Sequence, residues 1–323
     1  MLVLLRWVVA VAVAAVAVAG IAAAQSWPAK PVRLVVGYPA GGLTDGVART
    51  LAPRLTEALG QQVIVDNRGG GGSTIGTDIV AKAPPDGYTL LVADQALITN
   101  PSLYVKLPYD TLKNLQPVSL VGAASLVIVV HPSLPARSVK DLVALAKARP
   151  GDINYASGGN GTATHLAGEL FKQVAGVNMV HIPYKGAGIA IVDLLGGHVS
   201  IMFSSIGAAG PHVNVGKIRA LAVTGTSRAP AQPAVPTLGE SGYPAASVVG
   251  YWGVLAPAGV TRDIVDKLSG AIAAAIKLPE VHQRLVDQGV DPSGSGPAEY
   301  DRVIRAETEK WAKVIRQAGI KID

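Results

Sequence analysis

Cysteine is absent from all 323 residues. Disulfides, zinc–thiolate sites, cysteine nucleophiles and a lipid-modified cysteine are thereby excluded, so core burial alone must hold the chain together. Charge is sparse as well. Only 15% of residues are Asp, Glu, Lys or Arg, and no Lys/Arg block occurs, which argues against a nucleic-acid partner. The net charge of +6 helps to collect small anions only weakly. Familiar catalytic signatures are missing too. There is no GxGxxG and no GxxxxGK[ST], since Gly216-Lys217 is followed by Ile218, so neither a dinucleotide nor an NTP site is supported. No HExxH occurs and the six histidines are dispersed, so no metal or other cofactor is implied. GxSxG and SxxK are also absent.

What is present begins with Arg6, followed by an uncharged stretch from Trp7 to Ala24 that ends Ala22-Ala23-Ala24 before Gln25. A cation, an apolar run and a small-x-small terminus predict a secretory signal peptide over residues 1–24. The run is also about as long as a thin bilayer needs, which makes a retained anchor the alternative; its alanine richness favours cleavage. The remainder is too long for one ordinary core and natural for two lobes.

Short apolar runs then alternate with helical periodicity, the pattern of an α/β fold. Strands are expected at 32–38, 62–68 and 89–94, with helices at 45–59 and 74–83. The run Arg68-Gly69-Gly70-Gly71-Gly72-Ser73 is read as a structural turn of ordinary length, with Ser73 or Thr74 capping the following helix and a ligand-lining loop as the alternative. Segment 117–130 is too long for one common strand and carries Gly122-Ala123-Ala124 in its middle. Two strands joined at a bend are expected there, where the chain enters the second lobe. Further strands are expected at 154–157, 180–184, 199–205 and 218–224, with helices at 138–148, 162–175, 187–195 and 207–214. A return strand at 251–257 precedes helices at 261–277, 279–287 and 297–318. Near-continuous Val/Ile/Leu strands between helices imply parallel sheets covered on both faces. The expected lobes are residues 25–120 with 250–323, and residues 121–249, joined by a double crossover.

Ligands of such sheets sit at the carboxyl ends of strands, beside helix N-termini whose free N–H groups and dipole suit an anion. Two strand-end loops stand out: Tyr38-Pro39-Ala40-Gly41-Gly42-Leu43-Thr44-Asp45 and Ser157-Gly158-Gly159-Asn160-Gly161-Thr162-Ala163-Thr164-His165. Each pairs glycines with a threonine at a helix start, giving bare amides plus a hydroxyl, and the two fall on opposite lobes. As plain structural turns they are simply capped by Thr44 and Thr162. Asp45 is expected to complement the helix dipole or to orient a neighbour, because a carboxylate repels a bound anion. Other strand ends add Asp94-Gln95, Tyr184-Lys185 and Ser204, with Lys185 the nearest cation. Trp252, on the return strand, either lines the cleft or packs near the hinge.

These residues resemble the Bug-type periplasmic solute receptors of tripartite tricarboxylate transporters. The resemblance runs through WPAKPVRLVVGYPAGGLTD, VDNRGGGGSTIGTDIVAKAPPDGYTLL, NPSLYVKLPYDTLKNLQPVSLV, INYASGGNGTATHLAGELFK, MVHIPYKGAGIAIVDLLGGHVSIMF, KIRALAVT and YWGVLAPAGV. It implies a type II-like Venus flytrap whose ligand carboxylate is held by backbone amides and ordered water between the lobes. First-lobe contacts fall on Pro39 to Asp45 and second-lobe contacts on Ser157 to His165. Family ligands include di- and tricarboxylates, acidic amino acids and aromatic acids. Residues 203–205 read Phe-Ser-Ser, where relatives often carry Asp or Asn after the Phe.

The expected function is therefore non-catalytic: a periplasmic monomer captures a small organic anion and hands it to membrane permease subunits. One alternative is a receptor that presents its ligand state to a sensor kinase. Another is a secreted hydrolase using Ser157 and His165.

Overall fold

The computed structural model describes residues 27–318, so the signal peptide expected over 1–24 lies outside the described residues. The chain opens with three short strands, β1 (Val32–Val36), β2 (Val63–Asn67) and β3 (Thr89–Ala93). They pair in parallel in the order β2-β1-β3, linked by helices α1 (Leu43–Leu59) and α2 (Thr74–Ala81). Two helices absent from the sequence reading follow, α3 (Gln95–Leu103) and α4 (Thr111–Asn114). Asp94 starts α3 by accepting a bond from Ala96 N–H, and Asp110 caps α4, the ordinary way to satisfy first-turn amides. The glycine-rich turn before α2 is a short connection, but Ser73 adopts a left-handed φ of 75° there and gives no side-chain cap.

The segment expected to hold two strands is a single strand, β4 (Leu115–Val130), of 16 residues. Two register shifts, at Pro117/Ser119 and Leu120/Gly122, let it twist without breaking. It pairs antiparallel with the return strand β9 (Val249–Pro257) as far as Ser125, then with β7 (Ile201–Ser205) from Leu126 onward. One strand thus serves both lobes. Gly122 is required where β10 (Val290–Ser295) lies alongside, because a Cβ there would sit 2.4 Å from the Asp291 carbonyl oxygen. β10 was not expected, since Val-Asp-Pro-Ser-Gly-Ser reads locally as a loop.

The second lobe holds α5 (Val139–Ala148), β5 (Asn154–Ser157), α6 (Ala163–Ala175), β6 (Val180–Pro183), α7 (Ala187–Leu195), β7, α8 (Ile206–Asn214) and β8 (Arg219–Val223). β7-β5-β6 are parallel, and β8 runs antiparallel to β4. The parallel strands expected from composition therefore form two groups of three, and antiparallel β4 and β9 join them. Among the described residues the ten strands make one sheet with path β2-β1-β3-β9-β4-β7-β5-β6.

Period-two alternation decides which side chain enters which core. Leu126, Ile128 and Val130 of β4 join a cluster with Leu142, Leu166 and Phe171, whereas Val127 and Val129 join Ala190, Leu194 and Val199. In the first lobe Leu34 and Val36 pack with Leu51 of α1 and Leu268 of α9 (Arg262–Lys277), while Val35 packs with Tyr300 and Ile304. Each fully buried side chain of this size contributes about 1.5–3 kcal/mol. After α10 (Pro279–Asp287), the last helix, α11 (Pro297–Ala318), spans both cores. Tyr300 and Ile304 enter the first lobe; Trp311 and Ile315, on the same face, enter the second.

Candidate functional site

Each lobe contributes a strand that ends in a glycine turn running into a helix. After β1 the chain turns through Gly41, whose φ of 98° favours glycine, and α1 begins behind Gly42 with no side-chain cap. In the second lobe α6 begins behind Thr162, which accepts from His165 N–H at 3.4 Å. A third start is α7 behind Gly186, at the strand end where Tyr184 and Lys185 were expected to line the site, also without a side-chain cap and with φ 142°. First-turn amides have no intrahelical partner. These three helices, of 17, 13 and 9 residues, bring their positive dipole ends to one place.

That place is a cleft of about 640 Å³, counting the space open to solvent. Its first-lobe wall is Tyr38, Pro39, Ala40, Gly42, Leu43, Thr44 and Asp94; Trp252 and Leu126 come from the two shared strands. The second-lobe wall is Gly158, Thr162 to Thr164, Gly186 to Ile189 and Ser205. The lobes touch around it. A Cβ on Gly188 would lie 3.5 Å from the Gly41 carbonyl oxygen, and Thr99 Oγ1 donates across to the Gly161 carbonyl at 2.9 Å.

Asp94 is the one charged side chain on this wall. Its Oδ1 accepts from Ala96 N–H (3.0 Å) and Tyr38 O–H (3.2 Å), and its Oδ2 from Thr44 O–H (3.3 Å). Trp252 Nε1–H donates to Thr44 Oγ1 at 3.1 Å, which directs the threonine proton toward Asp94. Burial pushes the Asp94 carboxyl above its usual range, and the three donors oppose that rise.

Ten residues expected at the site are off this wall, each for a visible reason. Gly41 donates its amide to Asp45 Oδ2 at 3.0 Å. Asp45 turns away from the cleft, binding Arg49 Nε (3.0 Å) and Asn67 Nδ2 (2.9 Å) as well, and so braces the loop from behind. Burial alone would raise its pKa, but Arg49, the Gly41 amide and Asn67 together hold it below the usual carboxylate range. Ser157 is fully buried, with Oγ 2.6 Å from His181 Nε2 rather than against His165. The hydrolase pairing of Ser157 with His165 is therefore overturned. His165 accepts from Gly161 N–H through Nδ1 (3.1 Å) and stacks on His181 at 4.1 Å, so its role is to shape the loop. Asn160 and Gly161 turn their carbonyls toward the other lobe, against Gly72 and Thr99.

Tyr184 O–H donates to Asp193 at 2.6 Å, and Lys185 is exposed outside the cleft. Gln95 and Ser204 are fully buried, and the Gln95 amide and Ser204 Oγ have no hydrogen-bond partner among the described residues. Ser205 lines the cleft in place of Ser204 because adjacent strand residues face opposite sides, and it lies across from Leu126 in register. The Gly186-Ala187-Gly188 wall repeats the signal of the other two loops, a strand end followed by glycines, and was legible on that ground.

Comparison with known proteins gives a consistent result. The model for "Tripartite tricarboxylate transporter family receptor" matches residues 47–320. The chain is 41% identical over 308 residues to Protein BugT of Bordetella pertussis, covering 94% of each. It is similar to a solved R. palustris protein with adipate, at TM-score 0.89 and 36% identity, covering 92% of this chain and 100% of that one. It is also similar to MatC from Rhodopseudomonas palustris with bound malate, at TM-score 0.84 and 29% identity, covering 90% and 100%. The chain belongs to the tripartite tricarboxylate transporter receptor family, whose members are periplasmic solute-binding proteins and not enzymes.

Proposed function

We propose that this protein captures a small organic acid between its lobes and delivers it to the permease subunits of a tripartite transporter. It acts as a periplasmic monomer once its leader is cleaved after Ala24. The lobes that close are residues 25–120 with 250–323, and 121–249. The observation that carries the reading is the convergence of three helix N-termini on a cleft whose wall has no cation. A carboxylate is the ligand group that such amides and dipoles favour. The Gly42, Thr44 and Thr162–Thr164 region, with Ala187 and Gly188, holds it. The adipate and malate in related structures support an acid of this size. Contacts to both lobes exist together only in the closed state, so the ligand draws the population toward closure.

A thermal-shift screen of residues 25–323 against small acids and their neutral amides tests this. An acid at 100 times its Kd stabilises by about 2.7 kcal/mol, a shift of a few degrees. Shifts from the acids and none from the amides are expected; equal response to both would remove the carboxylate assignment. Gly42→Val provides the site control. Gly42 has an ordinary φ of −87°, and a Cβ there meets no atom within 4 Å. The variant should fold and lose binding.

A further inference from the structure

The three helix starts account for one end of a ligand; the rest of the wall describes the other end. Besides the amides and the hydroxyls of Tyr38, Thr44, Thr162, Thr164 and Ser205, the wall is apolar, with Leu43, Leu126, Ala187, Ile189 and Trp252. Against this apolar body stands a single charge, and it is negative. Asp94 is 7% exposed, lines the cleft, and makes no ion pair among the described residues. Its Oδ1 is filled by two donors, Ala96 N–H and Tyr38 O–H, whereas Oδ2 accepts only from Thr44. Thr44 is itself oriented by Trp252 Nε1–H. Among the described residues Oδ2 therefore has one donor where Oδ1 has two, and it keeps a lone pair for another.

We infer that Asp94 selects the ligand's second end: the site takes a monocarboxylate whose far end carries a hydrogen-bond donor, an ammonium or a hydroxyl, and disfavours di- and tricarboxylates. The inference rests on the carboxylate reading above and narrows its ligand class. A second carboxylate brought near Asp94 meets a like charge with no cation on the wall to offset it, which is costly. A donor-tipped ligand fills the remaining lone pair of Oδ2, and a ligand with a bare methyl end leaves it unfilled. Sites built to hydrogen-bond a polar group reject analogues that lack it.

Equal-length probes separate these cases. Calorimetric titrations would use adipate, 6-aminohexanoate, 6-hydroxyhexanoate and hexanoate, and the corresponding four-carbon series. Wild-type protein and Asp94→Asn would be compared. Asparagine still caps α3, so the helix start survives, and circular dichroism confirms folding. Wild type should bind the amino or hydroxy acid at least about tenfold more tightly than the diacid of the same length. Asp94→Asn should shrink that ratio by about tenfold or invert it. A purely structural Asp94 would lower all affinities together and leave the ratio unchanged. An unchanged ratio, or a diacid preferred by wild type, overturns the inference while leaving the carboxylate reading intact. If no acid binds either protein in this series or in the thermal screen, both fall.

Discussion

Behind the second-lobe loop, His165 and His181 stack in the interior with Tyr155 on the far side of His181. Burial pushes His165 down to about 4, and burial together with His165 pushes His181 down to about 3, from an ordinary 6.5. Both rings are neutral when folded. The unfolded chain takes up these protons first, so their contribution to stability is intact above pH 6.5 and drains away as pH falls from 6.5 through about 4 to about 3. The melting temperature should drop over that window. His181→Gln, which keeps an acceptor for Ser157, should flatten the drop; parallel Tm–pH curves for the two proteins would show that the pair is not responsible. His165 was legible as a loop residue from its position one turn into a helix. Its partner was not, because His181 lies 16 residues away on a neighbouring strand and only the pairing of β5 with β6 brings it close.

Elements that join the lobes carry more than their share of the structure. α11 places Trp311 in the second core and Tyr300 in the first, each almost wholly buried. Trp311→Ala should cost about 3–5 kcal/mol, measured as the midpoint shift in urea, and should loosen both lobes rather than one. A loss below 1 kcal/mol would mean that α11 merely lies on the surface. The amphipathic period of α11 was plain in the sequence, and its span of 297–318 was expected. What it packs against was not, since one face can serve one core or two. β10 illustrates the opposite case: its composition signals a loop, and only the neighbouring edge of β4 at Gly122 makes it a strand.

Across the whole molecule, the closure proposed above depends on how near the two loop sets can come. Gly72 of the first lobe has φ 59°, and a Cβ there would lie 2.4 Å from the Asn160 carbonyl oxygen of the second. Gly72→Ala should therefore wedge the lobes and weaken binding of any acid found in the thermal screen. Gly71→Ala is the control, with nearly the same φ of 57°; its Cβ would come within 2.2 Å of Thr74 Oγ1, a side chain of its own lobe that can rotate, and of no second-lobe atom. The strain of a left-handed alanine, about 1–2 kcal/mol, is common to both. Calorimetry should find Gly72→Ala the weaker binder; equal losses would assign the effect to backbone strain alone.

The sequence by itself determined the α/β alternation, the two glycine–threonine loops at strand ends, the absence of catalytic motifs and the family. These are local signals, carried by periodicity and by the residue types that a helix start or a tight turn requires. Tertiary structure decided that β4 runs unbroken through both lobes, that Gly186 to Ile189 rather than Tyr184 and Lys185 line the cleft, and that Asp94 bonds Thr44 beside Trp252. Those features rest on pairings between residues as far apart as Thr44 and Trp252, 208 positions along the chain. Such contacts follow from strand register and packing, which no local window of sequence contains.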